Sequence, residues 1–341
     1  MKTLKTIQAT VNPDSPDPDI IRQGAKILQE GGLVAFPTET VYGLGANALD
    51  PSAVAQIYKV KGRPSDNPLI LHANSLEELK DVVNIGSDTS YSSNINLVVQ
   101  RLAKAFWPGP LTLVLPGNNS KVPSVAVRVP AHSVTRALIA ASGCIIAAPS
   151  ANLSGRPSPT KAKHVTEDLD GAIEMIIDGG STQNGLESTV VDLYSKGLPK
   201  LLRPGSITLE MLQDVLGEIE CPDLNNHNIE NSDAPLAPGM KYRHYAPQAP
   251  LILVIGDCYE AKRKAINTIT EKYKTDGKTV GILASSSKDT FEDIAQRLFD
   301  KLREFDEMKV SVIVAEGVKE EGIGTAIMNR LRKAAAEVIY V

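Results

Sequence analysis

Short apolar runs and helical periodicities alternate along the first two hundred residues, and this alternation predicts an α/β layer architecture. Runs at 33–36, 68–71, 111–115, 125–129, 144–148, 175–177, 189–193 and 200–202 read as buried strands. Between them, apolar residues spaced by three and four predict helices over 19–30, 51–60, 76–83, 94–106 and 134–141. The first helix stops at Gly31-Gly32, a residue type suited to a helix C-terminus. Residues 84–94 read as a surface loop. From 217 to 250 the periodicity lapses into a Pro- and Asn-rich stretch, which reads as a linker. Beyond it, β-branched runs at 251–255, 279–283 and 310–315 each precede a helical pattern, at 259–274, 289–305 and 326–335. Three such βα units predict a smaller open parallel sheet of Rossmann-like layout. The division expected is therefore a first domain over 1–216, a linker over 217–250 and a second domain over 251–341.

Length supports two cores, since 341 residues exceed the roughly 250–300 at which one core stops growing. With 36 Lys+Arg against 40 Asp+Glu, the net charge of −4 argues against a protein that mainly grips nucleic acid nonspecifically. No apolar run approaches the roughly 18–20 residues that span a bilayer, and the N-terminal stretch lacks the apolar region of a secretion signal. A cytoplasmic protein without membrane contact is expected. Cys144, Cys221 and Cys258 are far apart with no CxxC, so neither a disulfide framework nor a zinc site is expected.

The chemistry-bearing residues cluster in the polar turns after strands. HExxH, GxSxG and metal-spaced His/Cys groups are absent from the sequence, which removes zinc hydrolysis and α/β-hydrolase chemistry. Gly277-Lys278-Thr279 lacks the first glycine of a phosphate loop and precedes a strand, so it reads as a turn. Gly322-x-Gly324 opens the last helix and reads as a structural turn. The strongest segment is Pro37-Thr38-Glu39-Thr40-Val41-Tyr42-Gly43-Leu44-Gly45, whose hydroxyls and glycines permit close backbone approach to a ligand. Lys61-Gly62-Arg63-Pro64-Ser65 can turn two cations toward one polyanion because Gly62 and Pro64 break the helix. His72 ends a strand, where a structural histidine and a ligand contact are equally consistent with the pattern. Arg128 lies within an alternating strand and, if inward, requires a carboxylate or phosphate partner. Pro149-Ser150-Ala151-Asn152, Glu187-Ser188-Thr189 and Leu202-Arg203-Pro204 add hydroxyls, an amide and another cation at strand ends. Together they suit a pocket for a nucleoside triphosphate and a small carboxylate.

The ordered segments PTETVYGLG, KGRPSDNPLILH, WPGPLTLVL, SVAVRVP, PSANLSGRPSPT, ESTVVDL, LRPGSI and PGMKYRHYAP resemble the two-domain threonylcarbamoyl-AMP synthases of the YrdC-like family. The resemblance is dense over 15–250 and extends to the rest by length and βα layout. It implies an N-terminal YrdC-like twisted open sheet flanked by helices, plus a smaller Rossmann-like α/β domain. It also implies a nucleotidyltransferase that makes threonylcarbamoyl-AMP and pyrophosphate from L-threonine, bicarbonate and ATP, for modification of adenosine in tRNA by a separate transferase machinery. A weak RNA contact is compatible with that role. By resemblance, Thr38, His72, Arg128, Ser150 and Ser188 fall where the family holds threonine. Lys61, Arg63, Ser65, Ser124, Asn152, Thr160 and Arg203 fall where it holds ATP, joined by Lys241, Tyr242, Arg243 and His244 of the linker.

Arg128 can pair an amino-acid carboxylate bidentately, while Lys61 and Arg63 offset triphosphate charge. Catalysis is expected to be positioning and electrostatic, with no protein nucleophile. Magnesium is expected to arrive with ATP, held by phosphates and water and not by protein side chains. The segment around Lys241 is expected to fold over the nucleotide as a lid, and residues 1–216 to retain their own core. Two rival readings stand beside this one: a related YrdC-like carbamoyl-transfer enzyme, and a non-enzymatic double-stranded RNA-binding module.

Overall fold

The computed structural model describes residues 4–84, 95–222, 244–286 and 288–341. Its first unit is one mixed ten-stranded sheet, in the order β1 (Ile7–Thr10), β8 (Met175–Asp178), β2 (Val34–Pro37), β3 (Tyr42–Asn47), β7 (Ile146–Ala147), β4 (Ile70–His72), β6 (Val122–Arg128), β5 (Leu111–Asn119), β9 (Thr189–Asp192) and β10 (Lys200–Arg203). Helix α1 (Pro18–Gln29) begins where the Asp17 side chain accepts from the Asp19 amide, with Pro18 in the first turn. It buries Ile21, Gly24, Ala25 and Leu28, a stripe at helical spacing, against α4 (Ser133–Ser142) and strands β2 and β8. Helix α2 (Pro51–Lys61) is capped by Asp50 and ends at Gly62, whose φ of 59° suits a residue without Cβ. Helix α3 (Ile95–Phe106) packs on α6 (Leu209–Leu216), so the chain up to 216 belongs to this unit.

Several sequence expectations shift. The helix read over 76–83 is a single turn, Glu77–Leu79, because Val83 leaves it to bridge Gly117 beside β5. Residues 42–45, read as part of a ligand turn over 37–45, belong to the buried strand β3. A Cβ on Gly45 would lie 2.6 Å from Phe36 and 2.7 Å from Ile146, so that glycine serves strand packing and not ligand approach. Strand β1, strand β14 (Glu337–Tyr340), helix α5 (Ala162–Leu169) and α6 were not read from the pattern. Strand β1 is short and largely exposed, and β14 keeps no fully buried side chain to mark it. The loop read over 84–94 lies almost wholly outside the described residues.

The second unit is a four-stranded parallel sheet ordered β12 (Val280–Leu283), β13 (Val312–Glu316), β11 (Leu251–Ile255) and β14. Its strands alternate between two faces with a period of two. Val254 and Val314 meet Ile266 of helix α7 (Tyr259–Thr275) in a small core. Leu251, Leu253, Ile313 and Ala315 meet helices α8 (Phe291–Glu307) and α9 (Ile323–Ala334) in a larger one. That larger core also takes in Val41 and Leu186 of the first unit, so α8 and α9 lie between the two sheets. Among the described residues no helix is long and apolar enough to cross a membrane.

Candidate active site

Strand ends of the first sheet converge on one pocket. His72 and Arg128 are register partners on the parallel pair β4 and β6, which brings together two residues fifty-six positions apart. Strand β3 is bridged at Gly43 to Ser150, in the turn after β7. Ser188 immediately precedes β9 and Arg203 ends β10, the neighbouring antiparallel strand. Thr38, Lys61, Arg63, His72, Arg128, Ser150, Asn152, Ser188, Arg203 and His244 all line the cavity these ends enclose.

Each cation is held differently. Arg128 is inward, as expected, and its carboxylate partner is within the chain: Nη2 lies 2.7 Å from Glu39 Oε1, though not aligned as a hydrogen bond. Its Nε donates to the Gly109 carbonyl at 3.2 Å and Nη1 to Thr40 Oγ1 at 3.0 Å. Burial opposes ionisation of Glu39, but Arg128 holds its carboxyl below the ordinary range. Lys61 ends α2 and donates from Nζ to the carbonyls of Ser150, at 2.5 Å, and Asn152. Arg63 folds back on Asn67 and Pro68, donating to two carbonyls and to Asn67 Oδ1 at 2.7 Å. Arg203 donates to Ser188 O at 3.0 Å and Ser188 Oγ at 3.1 Å.

Burial, followed by the charge of Arg63, lowers Lys61 well below the usual lysine range. Burial lowers Arg63 to about 10 and also lowers Arg203. A ligand bearing negative charge would relieve all three. His72 is driven to about 3 by burial and by Arg128, so it is neutral. Its Nδ1 is 3.1 Å from the Ile70 carbonyl, and the neutral ring keeps one donor and one acceptor nitrogen. His244 is likewise lowered to about 3 by burial and Arg63.

The hydroxyls are pre-bonded. Thr38 Oγ1 donates to the Val41 carbonyl at 2.6 Å and accepts the Thr40 and Val41 amides, closing the loop on itself. Ser150 donates to Asn152 Oδ1 at 2.5 Å, and Ser188 Oγ lies 2.7 Å from Thr112 Oγ1.

Three expected residues are not on this wall. Ser65 is exposed in the turn after α2, where Arg63 instead folds inward. Ser124 pairs with Pro116 on β6, four residues and about 13 Å before Arg128. Thr160 is buried, its amide bonded to His164 Nδ1 and its carbonyl to the Thr182 amide, where the chain enters α5. Lys241, Tyr242 and Arg243 lie outside the described residues, as does most of the proposed lid.

The structure also adds wall residues that sequence reasoning did not single out. Thr40 links Arg128 to the first loop, Tyr245 follows His244 into the pocket, and Glu187 lies beside Ser188. Glu187, which lines the cavity, and Glu39, which sits behind Arg128, are each committed, Glu187 to an arginine of α9 and Glu39 to Arg128. Among the described residues no group of three or more His, Cys, Asp or Glu could hold a metal ion.

Two family models match the chain. One, described as "Telomere recombination" and covering the Sua5, YciO and YrdC proteins, matches residues 26–205. The other, described as "Threonylcarbamoyl-AMP synthase, C-terminal domain", matches 207–336. The threonylcarbamoyl-AMP synthase of Pyrococcus abyssi is 50% identical over 333 residues, covering 92% of this chain and 94% of the relative. That of Bacillus subtilis is 43% identical, with 98% of each chain covered. The crystal structure of P. abyssi Sua5 complexed with L-threonine superposes with a TM-score of 0.90 at 48% identity, covering 98% of this chain and all of that one.

Proposed function

This chain belongs to the threonylcarbamoyl-AMP synthase family, and on that premise we propose that its pocket joins L-threonine, bicarbonate and ATP into threonylcarbamoyl-AMP and pyrophosphate by nucleotidyl transfer. The observation that carries this reading is the set of four cations on the wall of one cavity, Lys61, Arg128 and Arg203 buried and Arg63 half-buried. Burial lowers the pKa of three of them, Lys61, Arg63 and Arg203, a cost that a negatively charged ligand would offset.

Threonine is assigned to Thr38, His72, Arg128, Ser150 and Ser188. Arg128, steadied from behind by Glu39, presents its guanidinium to the amino-acid carboxylate. Neutral His72 can orient a donor on the substrate but is too weak a base to take a proton from the ammonium. The triphosphate is assigned to Lys61, Arg63, Asn152, Arg203 and His244. The neutral threonine amine attacks the carbon of bicarbonate, or of carbon dioxide formed from it, and the loss of water leaves a carbamate. A carbamate oxygen then attacks the α-phosphorus, and pyrophosphate departs with the electrons of the broken P–O bond. The protein supplies alignment and charge stabilisation. Magnesium would enter with the triphosphate, since Glu39 and Glu187 are each engaged by an arginine. The product then passes to a separate machinery that modifies tRNA in the cytoplasm.

Incubation with ATP, L-threonine and labelled bicarbonate tests the reading. Labelled threonylcarbamoyl-AMP and pyrophosphate, dependent on all three substrates, are expected. A labelled adenylate formed without threonine would transfer the protein to the carbamoyl-transfer reading. Salt-sensitive RNA affinity without ATP turnover would favour the RNA-binding one.

A further inference from the structure

The second unit touches the pocket through one short segment of the first. Gly185 has a φ of 72° and lies against the backbone of α8, where a Cβ would be 2.4 Å from Gln296 Cα and 2.5 Å from the Ala295 carbonyl. Leu186, the next residue, has no exposed surface and belongs to the core formed by α8 and α9. Glu187 then meets Arg330 of α9, whose Nε donates to Oε2 at 2.9 Å, and both side chains are buried. The other carboxylate oxygen of Glu187 takes the Ser158 hydroxyl. Three consecutive residues are therefore seated on the second unit, and the fourth, Ser188, holds Arg203 in the pocket wall.

Arg330 falls on the apolar stripe of α9, at helical spacing with Ile323, Ile327 and Ala334. Burying a guanidinium there is costly unless it is paired, so its place in the core makes sense only with Glu187 opposite. It also sits over the Tyr245 ring, 5.3 Å from the centroid, and that ring stacks on Phe299 of α8. The loop after Arg203 leaves no slack, because a Cβ on Gly205 would meet the Thr189 amide at 2.5 Å and the Glu187 carbonyl at 2.8 Å.

We infer that Gly185-Leu186-Glu187 is a docking tab, and that Arg330, which does not line the pocket, is a positioning residue that sets Ser188 and Arg203 for the ligands. Removal of Arg330 leaves Glu187 facing Arg203 on β10, Lys333 on α9, and His244 and Tyr245 at the end of the linker. Arg203 is the strongest remaining attraction, and Glu187 would draw it off the Ser188 carbonyl. The inference rests on the proposed reading for what fills the pocket, but the tab itself does not depend on it.

Five variants test it: Arg330→Met, Arg330→Lys, Glu187→Gln, Gly185→Ala and the Glu187→Gln/Arg330→Met double. Steady-state synthesis, L-threonine binding by calorimetry and amide exchange over 186–190 are the readouts. Arg330→Met is expected to lose 30-fold or more in kcat/KM and about tenfold in threonine affinity, and to speed exchange over the tab. Arg330→Lys should recover part of each. The double variant should fall short of the product of the two single losses, because no buried charge is left alone. Gly185→Ala should shift the same exchange signals from the α8 side. Unchanged kinetics and exchange in Arg330→Met, or a double variant equal to the product of the singles, would overturn the inference. A wild-type chain that neither binds threonine nor makes product would instead sink the proposed function, leaving exchange and the double-variant cycle in stability to judge the tab.

Discussion

Arg303 and Arg63 are both inward-facing guanidiniums in this molecule, and their surroundings are built on opposite plans. Arg303 of α8 crosses between the units and meets Asp168 of α5, with Nη2 2.8 Å from Oδ2, and it donates to the carbonyls of Pro157 and His164 as well. Arg330 repeats that plan with Glu187, and Arg330 is held above the usual arginine range despite the opposing effect of burial. In the pocket, Arg63 and Lys61 donate to carbonyls and an amide oxygen. Neutral acceptors orient a cation without cancelling its charge. The seam between the units is therefore electrically closed, while around Lys61 and Arg63 the pocket keeps charge that neutral acceptors do not cancel, under low-dielectric walls where an anionic ligand is bound most strongly; Arg128, paired with Glu39, is the pocket's exception. The same residue type serves adhesion in one place and ligand capture in the other, and the difference is made by whether the acceptor is charged.

The contrast can be broken most sharply at the seam. Arg303→Met leaves buried Asp168 with only Arg156 and the Leu153 amide and removes three donated bonds across the seam, so it should destabilise the chain by about 3 kcal/mol in chemical denaturation. A loss under about 1 kcal/mol would mean that the seam is not held by this pair. Lys61→Met should do the reverse. Synthesis should fall by about 2–4 kcal/mol of transition-state stabilisation, while the ligand-free protein melts no lower than wild type, because a costly buried cation has gone. A clear fall in melting temperature would show that Lys61 is structural.

Acid should weaken the pocket side next. His72 and His244 titrate near 6.5 when unfolded and near 3 when folded, so the unfolded chain binds more protons between those values. Their stabilising effect is complete above pH 6.5 and is lost as pH falls toward 3, by at most about 1.4 kcal/mol per pH unit for each histidine. His72→Gln should flatten the stability curve between pH 6.5 and about 4.5, above the range where carboxylates take over. An unchanged slope would remove His72 from the buried neutral set. The smallest effect belongs to the rim of the seam, where Lys163 and Glu307 pair at 2.7 Å but are 61% and 43% exposed. Lys163→Ala should leave the denaturation midpoint within the scatter of repeated wild-type measurements, at low and at high salt. A larger change would erase the distinction between the paired interior and its edge.

How much of this was legible depended on the distance over which each signal acts. Lys61 and Arg63 could be read because one glycine and one proline turn both inward, a matter of five adjacent residues. Among the described residues most helices and most strands follow from caps and period, which are equally local, while α5 and α6 do not. The neighbourhood of His72 and Arg128 follows from the β4–β6 register, and the pairing of Arg128 with Glu39 from a loop folded across the sheet. No pattern of spacing encodes either. Gly45 looked like a ligand turn because packing glycines and turn glycines are the same residue in a sequence. Arg330 did carry a signal, since a lone arginine on the apolar stripe of a helix announces a buried partner. Its partner, Glu187, could only be found in three dimensions.

Strand β1 joins the first sheet beside β8, and the Thr6 hydroxyl bonds the Ile173 carbonyl 167 positions later. On a ribosome this separation is an interval of time. At roughly 5–20 residues per second, the first strand waits about 8–33 seconds for its neighbour to be made. Strand β2 waits nearly as long for β8, the parallel partner that flanks it on the other side from β3. During that interval β2 has its hairpin partner and the helices α1 and α4 but no strand on its β8 side, so that edge should stay open to pairing with other chains until residue 178 has emerged.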